Sequence, residues 1–344
     1  MKDWKAWLGV AVSAFLLWWV FRGEDLGDIL GQVRSADLGW LVVAGAISTT
    51  GGLVRAIRWR LLLEPLGVPT SLHARWKALN VGFAVTNLAL GRLGEIARPY
   101  ALSRMTRVST SGALGTVVLE RVLDMVALLL LLTATLLLPA FPRDATMFGQ
   151  PIGVAVMGAT GAGVGVVVLV GALVVRPMLV VRLLRALEQR VPVLGRRRLG
   201  DAAESFIAGL DLLKRPVALL KALAWSFVVW IWMAMSFWAA FQAFGIDLGF
   251  TAALFTQCVV SAFVALPAAP GFLGTLQTGV LVSLYGIFGV AEADALSLSV
   301  GYHLSGYIPV TSLGLFYALS LRLRISAMRA EPEAEGPGIG DSTP

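Results

Sequence analysis

Six charged residues stand in otherwise strongly apolar sequence, and they are the strongest candidates for chemistry. They form two groups at helical spacing: Arg92, Glu95 and Arg98, then Glu120, Arg121 and Asp124. In the first group the residues are three apart, so a helix places them on one face as a plus-minus-plus ladder. Two guanidiniums beside a carboxylate can bind a phosphate by paired hydrogen bonds. The alternative is that these three residues pair only with one another, as a ladder of ion pairs at the cytoplasmic surface.

The second group lies inside a long apolar segment. Glu120 and Asp124 are four residues apart and share a helix face. Exposing either to lipid costs about 2.5 to 3.5 kcal/mol on insertion scales. We therefore expect both to face the protein interior, paired with the arginines of the first group and with Arg55 and Arg58. These pairs either bind a charged headgroup or only lock the helices together, and both readings stay open.

A proline- and glycine-rich break, PAAPGFLG at 267–274, forms a third candidate site. Its candidate binding residues are Pro270, Gly271, Gly274 and, just beyond it, Gln277. A helix broken at membrane depth frees N–H groups, which can bind an anionic oxygen at the positive end of the next helix. A plain packing role is the alternative. In the last apolar segment, His303 either carries a coupling proton or is hydrogen-bonded between helices.

Composition narrows the class of protein. Of 344 residues, 57% are hydrophobic and 14% charged, with a mean hydropathy of +0.79, against about 25% charged in soluble domains. This excludes a soluble enzyme, a nucleic-acid binder and a disordered chain. A single cysteine, Cys258, allows no intrachain disulfide. The chain has no G-x-x-x-x-G-K-[ST], H-E-x-x-H or G-x-S-x-G motif, so we expect no cofactor, no metal and no direct use of ATP.

The apolar segments predict an all-α polytopic membrane protein with six full transmembrane helices. These lie at about 6–21, 38–54, 109–138, 152–175, 217–244 and 295–321. Two further segments, 78–102 and 251–290, are interrupted by glycine, arginine or proline, which predicts re-entrant helical hairpins. The first hairpin would begin in the cytoplasm and the second outside. Eight full spans are the alternative; because eight is also an even number, both termini would still lie on one side of the membrane.

Charge bias predicts the orientation. Basic loops place both termini in the cytoplasm of a multi-pass cell-membrane protein, while the acidic loop 22–37 faces outside. The basic segment 176–215 predicts amphipathic helices on the anionic inner leaflet, with a solvated loop as the alternative. The tail 325–344 is expected to be disordered. The transmembrane domain, 1–324, then divides into halves at about 1–138 and 152–324, with the same order of elements and opposite orientation, a pattern typical of secondary transporters.

Four sequence motifs, in this order and spacing, resemble one known family. They are RAIRWRLLL at 55–63, NLALGRLGEIAR at 87–98, ERVLD at 120–124 and PAAPGFLG at 267–274. Together they resemble the lysylphosphatidylglycerol synthetase transmembrane-region, or flippase-like, family of integral membrane proteins. The resemblance implies a domain that moves aminoacylated phosphatidylglycerol or polyprenyl-phosphate-linked sugars between leaflets. In the bifunctional members a soluble transferase domain follows; here a short tail follows, so synthase activity is not expected.

These observations predict a lipid translocase whose partner is a membrane lipid and not a nucleic acid, with a homo-oligomer left open. Arg92, Arg98 and Arg121 would neutralise a lipid phosphate, and the neighbouring acids would position them or accept a cationic headgroup. One alternative is an integral membrane enzyme that modifies a lipid headgroup, using the same acids as general acid and base. Another is a structural subunit whose charges are all paired.

Overall fold

The computed structural model describes residues 4–23, 25–89, 93–142, 146–147, 150–154, 157–158, 160–161, 164–165, 199–266 and 268–321. Nearly all of these residues are helical. Two strands of two residues each, Thr146–Met147 (β1) and Gln150–Pro151 (β2), pair antiparallel. Several predicted features lie outside the described residues: Arg92, Pro267, the segment 166–198 and the tail 322–344.

Six helices make up the first half of the chain. They are α1 (Trp4–Phe21), α2 (Leu26–Ser35), α3 (Leu38–Leu63), α4 (Leu72–Leu88), α5 (Gly94–Ser103) and α6 (Thr110–Leu137). Polar residues begin the longer ones: the side chains of Asp37, Ser71 and Ser109 accept N–H bonds from the first turns of α3, α4 and α6. The 3₁₀ helix Glu64–Leu66 extends α3.

Within the described part of the second half, five helices with continuous bounds follow. They are α7 (Leu199–Ala208), α8 (Pro216–Ala243), α9 (Phe250–Val264), α10 (Thr275–Leu284) and α11 (Glu292–Ser320). Short 3₁₀ helices, Asp211–Lys214 and Pro270–Phe272, precede α8 and α10. Pro216 begins α8 at the one helix position where a missing N–H costs nothing.

Two helices of the described chain are long and apolar enough to cross a membrane, Leu38–Leu66 and Pro216–Ala243. Ala11–Phe21 and Phe250–Val264 are shorter apolar helices. With 28 and 29 residues, α6 and α11 exceed the roughly 20 residues that a span needs. In α6 three charged residues lower the hydropathy. The predicted all-α fold is thus confirmed and is consistent with a helical membrane protein, while the number of spans remains a prediction.

The core consists of two main apolar clusters. One joins the later part of α3 to α4, α5 and the first half of α6, around Trp59, Leu79 and Leu119. The other joins α1 and α2 to the later part of α8 and to α9, α10 and α11, around Phe237 and Phe241. The charged residues of α6 lie beside the first cluster.

Close contacts between glycines hold the arms of the broken segments together. In the first hairpin, a Cβ atom on Gly94 would lie 2.0 Å from the carbonyl oxygen of Gly82, so α5 packs directly on the backbone of α4. In the second, a Cβ atom on Gly279 would lie 2.8 Å from Cα of Val260 on α9. At ten residues, α5 and α10 are about 15 Å long. That length fits re-entrant hairpins, which remain a prediction.

The turns of the two hairpins lie together against α11. Asn87, at the end of α4, donates from Nδ2 to Thr311 Oγ1 at 2.8 Å. Its carbonyl oxygen accepts from Tyr307 Oη at 3.2 Å. From the second hairpin, Gly271 packs so closely on Tyr307 that a Cβ atom would lie 2.7 Å from its ring.

The helix pairings of the first half recur in the second. The helix α3 packs on α4 as α8 packs on α9, and α5 packs on α6 as α10 packs on α11. Across the halves, α4 packs on α11 as α9 packs on α6, while α3 and α8 pack on each other. This arrangement is the one expected of two structurally similar halves.

The structure corrects three local predictions. The second predicted span ends at Val54, but α3 continues to Leu63, because Arg55 and Arg58 are buried in ion pairs and do not mark the membrane surface. The predicted loop 22–37 contains α2, whose first turn is capped by Asp25. The interval between the third and fourth predicted spans, 139–151, contains β1 and β2.

The packing of α11 on α4 depends on Gly314, where a Cβ atom would lie 2.1 Å from the carbonyl oxygen of Asn80. We expect Gly314→Ala to push the helices apart and lower the free energy of unfolding by about 1 to 3 kcal/mol. Thermal unfolding in detergent micelles measures this. Gly31→Ala, on α2 with open space around it, should be neutral or slightly stabilising. Equal melting temperatures of the two variants would contradict the close packing.

Candidate functional site

Glu120 is the centre of a buried charged cluster. Its side chain is fully buried on α6. From α5, Arg98 donates two parallel bonds, Nη1 to Oε1 at 3.0 Å and Nη2 to Oε2 at 2.8 Å. Arg121 Nη2 donates to Oε1 at 2.8 Å, and Arg58 Nη2 lies 3.1 Å from the same oxygen. Three guanidiniums therefore surround one carboxylate.

Asp124 lies one turn further along α6 and shares two of these arginines, Arg58 and Arg121. Arg58 pairs with it through Nη1, and Arg121 Nη2 lies 3.7 Å from Oδ2. Arg55 Nη1, one turn before Arg58 on α3, lies 3.6 Å from Oδ2. From α8, Trp230 Nε1 donates to Oδ1 at 3.2 Å.

Residues of α3 and α8 hold the arginines in place. Arg58 Nη1 donates to Ser226 Oγ at 2.7 Å. The guanidinium of Arg98 lies over the ring of Trp59, 4.2 Å from its centroid, and that of Arg55 lies 4.9 Å from the ring centroid of Trp230. Both are cation–π contacts, which strengthen when water is excluded.

The cluster carries more positive charge than negative. Four guanidiniums, those of Arg55, Arg58, Arg98 and Arg121, face the three carboxylates of Glu95, Glu120 and Asp124. Within the described part of the chain, the buried Nε atoms of Arg58 and Arg98 have no hydrogen-bond partner. The cluster thus has positive charge and N–H donors to spare for an anionic oxygen.

One edge of the cluster is open. The side chain of Arg121 is 43% exposed and that of Glu95 is 36% exposed, with 3.8 Å between Nε and Oε1. Arg121 lies about 16 Å from the first residue of α6 and about 24 Å from its last. The exposed guanidinium is therefore near the middle of a helix long enough to span a bilayer.

The structure brings together seven of the residues singled out from sequence. They are Arg55, Arg58, Glu95, Arg98, Glu120, Arg121 and Asp124. The expected ladder along α5 is wrong in detail, because Arg98 pairs with Glu120 and Glu95 pairs with Arg121, both across to α6. Sequence reasoning did not assign Trp59, Trp230 or Ser226 to this site. The i,i+4 spacing of Ser226 and Trp230 was the available signal for one helix face.

The proline- and glycine-rich break, introduced above as the third candidate site, forms a separate polar group at the turn of the second hairpin. Gly271 and Gly274, with φ of 70° and 86°, adopt left-handed backbone that favours glycine. Pro270 begins the 3₁₀ turn between them. Gln277 Oε1 accepts from the N–H of Gly274 at 2.9 Å, and its Nε2 lies 3.0 Å from His303 Nδ1. The expected free N–H of Gly274 is thus already satisfied inside the protein.

A family model decides which family this chain is in. The model described as lysylphosphatidylglycerol synthase TM region matches residues 6–314. The chain belongs to this family. The match covers every described residue of both candidate sites and confirms the family resemblance that the four sequence motifs predict.

The relatives found for this lysylphosphatidylglycerol synthase TM-region chain are described as membrane proteins. Two UPF0104 membrane proteins of Methanothermobacter thermautotrophicus are 23% and 22% identical. The alignments cover 92% and 84% of this chain and 94% and 87% of theirs. A UPF0104 membrane protein of Methanocaldococcus jannaschii is 24% identical over 68% of this chain and 93% of its own. No solved structure gives a significant match.

The buried pairs of Arg58 make it the most costly arginine of the cluster to remove. We expect Arg58→Met to lower the free energy of unfolding by about 3 to 5 kcal/mol, because two buried carboxylates lose a partner. Thermal unfolding in detergent micelles measures this. The control variant Arg104→Met replaces an exposed arginine. Its free energy of unfolding should stay within about 0.5 kcal/mol of the wild-type value.

A double variant separates the ion pair from mere packing. Arg58→Met with Asp124→Leu replaces a buried pair by apolar side chains and should regain part of the loss. Additive losses in the double variant would contradict a direct Arg58–Asp124 pair.

Proposed function

We propose that this membrane protein moves an anionic lipid between the two leaflets, with its headgroup passing along the open edge of the charged cluster. The observation that carries this proposal is the half-exposed side chain of Arg121 near the middle of α6. An arginine facing lipid tails at that depth is costly. An exposed one therefore needs polar surroundings, which a passing lipid headgroup and its water provide while the acyl chains stay in the bilayer.

The charge of the cluster favours a phosphate-bearing lipid. The excess of positive charge in the cluster and the accessible side chain of Arg121 suit a phosphate oxygen. The substrate class is an anionic or aminoacylated phospholipid, or a polyprenyl-phosphate-linked glycolipid, which share a phosphate beside a hydrocarbon chain. The family description, which names lysylphosphatidylglycerol, supports the aminoacylated phospholipid. The exposed carboxylate of Glu95 can receive its amino group.

The pairing of the acids favours transport over headgroup chemistry. Both oxygens of Glu120 and both of Asp124 lie within ion-pair distance of guanidinium groups. A general base needs a free carboxylate oxygen at the substrate, and a general acid needs a proton on it. Glu120 and Asp124 are therefore better placed to hold arginines than to transfer protons to a lipid headgroup.

The hairpins supply a route for alternating access. Their turns meet against α11, and the pairings of helices recur between the halves. In transporters built from inverted repeats, broken helices meet near the membrane midplane and one repeat moves against the other. We propose the same arrangement here, with six full spans, two hairpins and both termini in the cytoplasm.

Lipid movement in proteoliposomes tests the proposed function. The probe is fluorescent phosphatidylglycerol in phosphatidylcholine vesicles, with dithionite reporting the outer leaflet. We expect Arg121→Gln to slow the movement about tenfold or more, because one charge-assisted contact to the phosphate is lost. Arg104→Gln, a matched exposed arginine outside the cluster, should move lipid at the wild-type rate. Equal rates in wild-type and protein-free vesicles would overturn the proposed function.

Cysteine labelling tests the inverted arrangement. In a Cys258→Ser background, cysteines replace Arg104, after the first hairpin, and Ala291, after the second; both are exposed. The proposed topology predicts that an impermeant maleimide labels them from opposite sides of oriented vesicles. Labelling of both from the same side contradicts the inverted repeat.

A further inference from the structure

His303 lies outside the charged cluster and binds the turn of the second hairpin. Its Nδ1 is 3.0 Å from Gln277 Nε2. Gln277 also caps α10, because its Oε1 accepts from the N–H of Gly274 at 2.9 Å. One glutamine side chain thus connects the histidine to the first residue of the hairpin's second arm.

The bonding of Gln277 defines the protonation of His303. A backbone N–H can only donate, so the Gln277 atom beside Gly274 is the carbonyl oxygen. The amide nitrogen therefore faces the histidine, and since an amide nitrogen only donates, Nδ1 must accept. The neutral imidazole then carries its proton on Nε2. The conformation described is that of the neutral histidine.

A second proton on His303 breaks this arrangement. With Nδ1 protonated, two N–H groups face each other and the bond to Gln277 is lost. Rotating the amide by 180° restores a bond to His303, but it turns the NH₂ group toward the N–H of Gly274 and uncaps α10. Protonation therefore removes one hydrogen bond from the hairpin turn in either case.

The turn has close neighbours that transmit a change. Gly274 packs on α1, where a Cβ atom would lie 2.8 Å from the carbonyl oxygen of Ser13. The ring of Tyr307 lies edge-on to His303, 5.6 Å between centroids, and its hydroxyl donates to the carbonyl oxygen of Asn87. A displaced second hairpin thus acts on the turn of the first.

The groups that face His303 carry no charge. Gln277 comes from α10, which has no acid or base between Thr275 and Leu284, and the titratable neighbour on α11 is Tyr307. Three neighbouring helix segments lie at the same depth of the bundle as His303. They are 41–48 of α3, 236–244 of α8 and 84–88 at the described end of α4, and their sequences contain no charged residue. Arg92 lies outside the described residues. Among the described residues beside the hairpin turn, His303 is thus the side chain of the type that ordinarily changes charge between pH 5 and 8.

We propose that His303 is a proton-binding switch of the second hairpin, which couples lipid movement to a proton gradient. This proposal rests on the proposed function. Neutral His303 keeps the two hairpin turns together; a proton taken from water on one side releases them, and it is returned to water on the other side when the bond to Gln277 re-forms. One proton crosses in each cycle: an N–H bond forms at Nδ1 of His303 when water on one side gives up the proton, and it breaks when water on the other side takes the proton.

Cysteine accessibility tests the switch without reference to transport. Leu273→Cys, at an exposed position beside Gly274, is labelled with maleimide in a Cys258→Ser background from pH 5.5 to 8. The same cysteine with His303→Gln is the reference, because glutamine can accept the Gln277 bond but does not titrate. This comparison divides out the reagent's own pH dependence.

The expected ratio of labelling rates changes about fivefold across this pH range, the shift that loss of one hydrogen bond produces. His73→Gln is the matched control. His73 is the other histidine of the chain and lies at the start of α4 beside Tyr317; this variant should label as wild type does. A constant ratio, or an altered profile in His73→Gln, overturns the switch.

Transport under a pH gradient tests the coupling. In proteoliposomes with fluorescent phosphatidylglycerol, an imposed gradient should change the wild-type rate about fivefold. It should leave His303→Gln unaffected, with movement at zero gradient retained. A wild-type rate that ignores the gradient overturns the coupling. Wild-type protein that moves no lipid overturns the proposed function, while the labelling ratio still decides whether His303 switches the hairpin.

Discussion

The fold depends on a fully buried carboxylate in the middle of an apolar helix. Removing Glu120 from water costs several kcal/mol unless guanidiniums and hydrogen bonds compensate. The compensation comes from separate elements, Arg58 on α3, Arg98 on α5 and Arg121 beside it on α6. Helix α3, the first hairpin and α6 are therefore held in one relative position, and α8 joins them through Ser226 and Trp230.

The same constraint explains why stability and function are divided within the cluster. Arg58 is completely buried, so its ion pairs serve the stability of the fold. Arg121 contacts the same two acids, yet nearly half of its side chain is exposed. Arg121 helps to compensate the burial of Glu120, but that role does not require nearly half of its side chain to stay accessible. The proposed lipid headgroup supplies a reason for this exposure.

Much of this arrangement follows from sequence. Apolar runs define the bounds of α1, α6, α8 and α11 to within about three residues. Charges inside apolar segments identify the cluster, because the membrane makes them costly. The sequence does not contain the partners. That Arg98 binds Glu120 and not Glu95, or that Trp59 and Trp230 lie under Arg98 and Arg55, depends on how α3, α5 and α8 pack. Likewise α3 passes the expected end at Val54 because its arginines pair internally.

The first hairpin physically connects the two polar sites. Its α4 end carries Asn87, bonded to Tyr307 and Thr311, and its α5 arm carries Arg98, bonded to Glu120. Because Gly94 lies directly on the backbone of α4 at Gly82, the two arms cannot slide past each other without a clash. A displacement of Asn87 therefore carries Arg98 with it, and Arg98 can move only by weakening its two parallel bonds to Glu120. For the proposed transport, we infer that an event at the hairpin turns changes how many donors the cluster has free for a phosphate, and so couples the turn at Gly271 to the charged cluster.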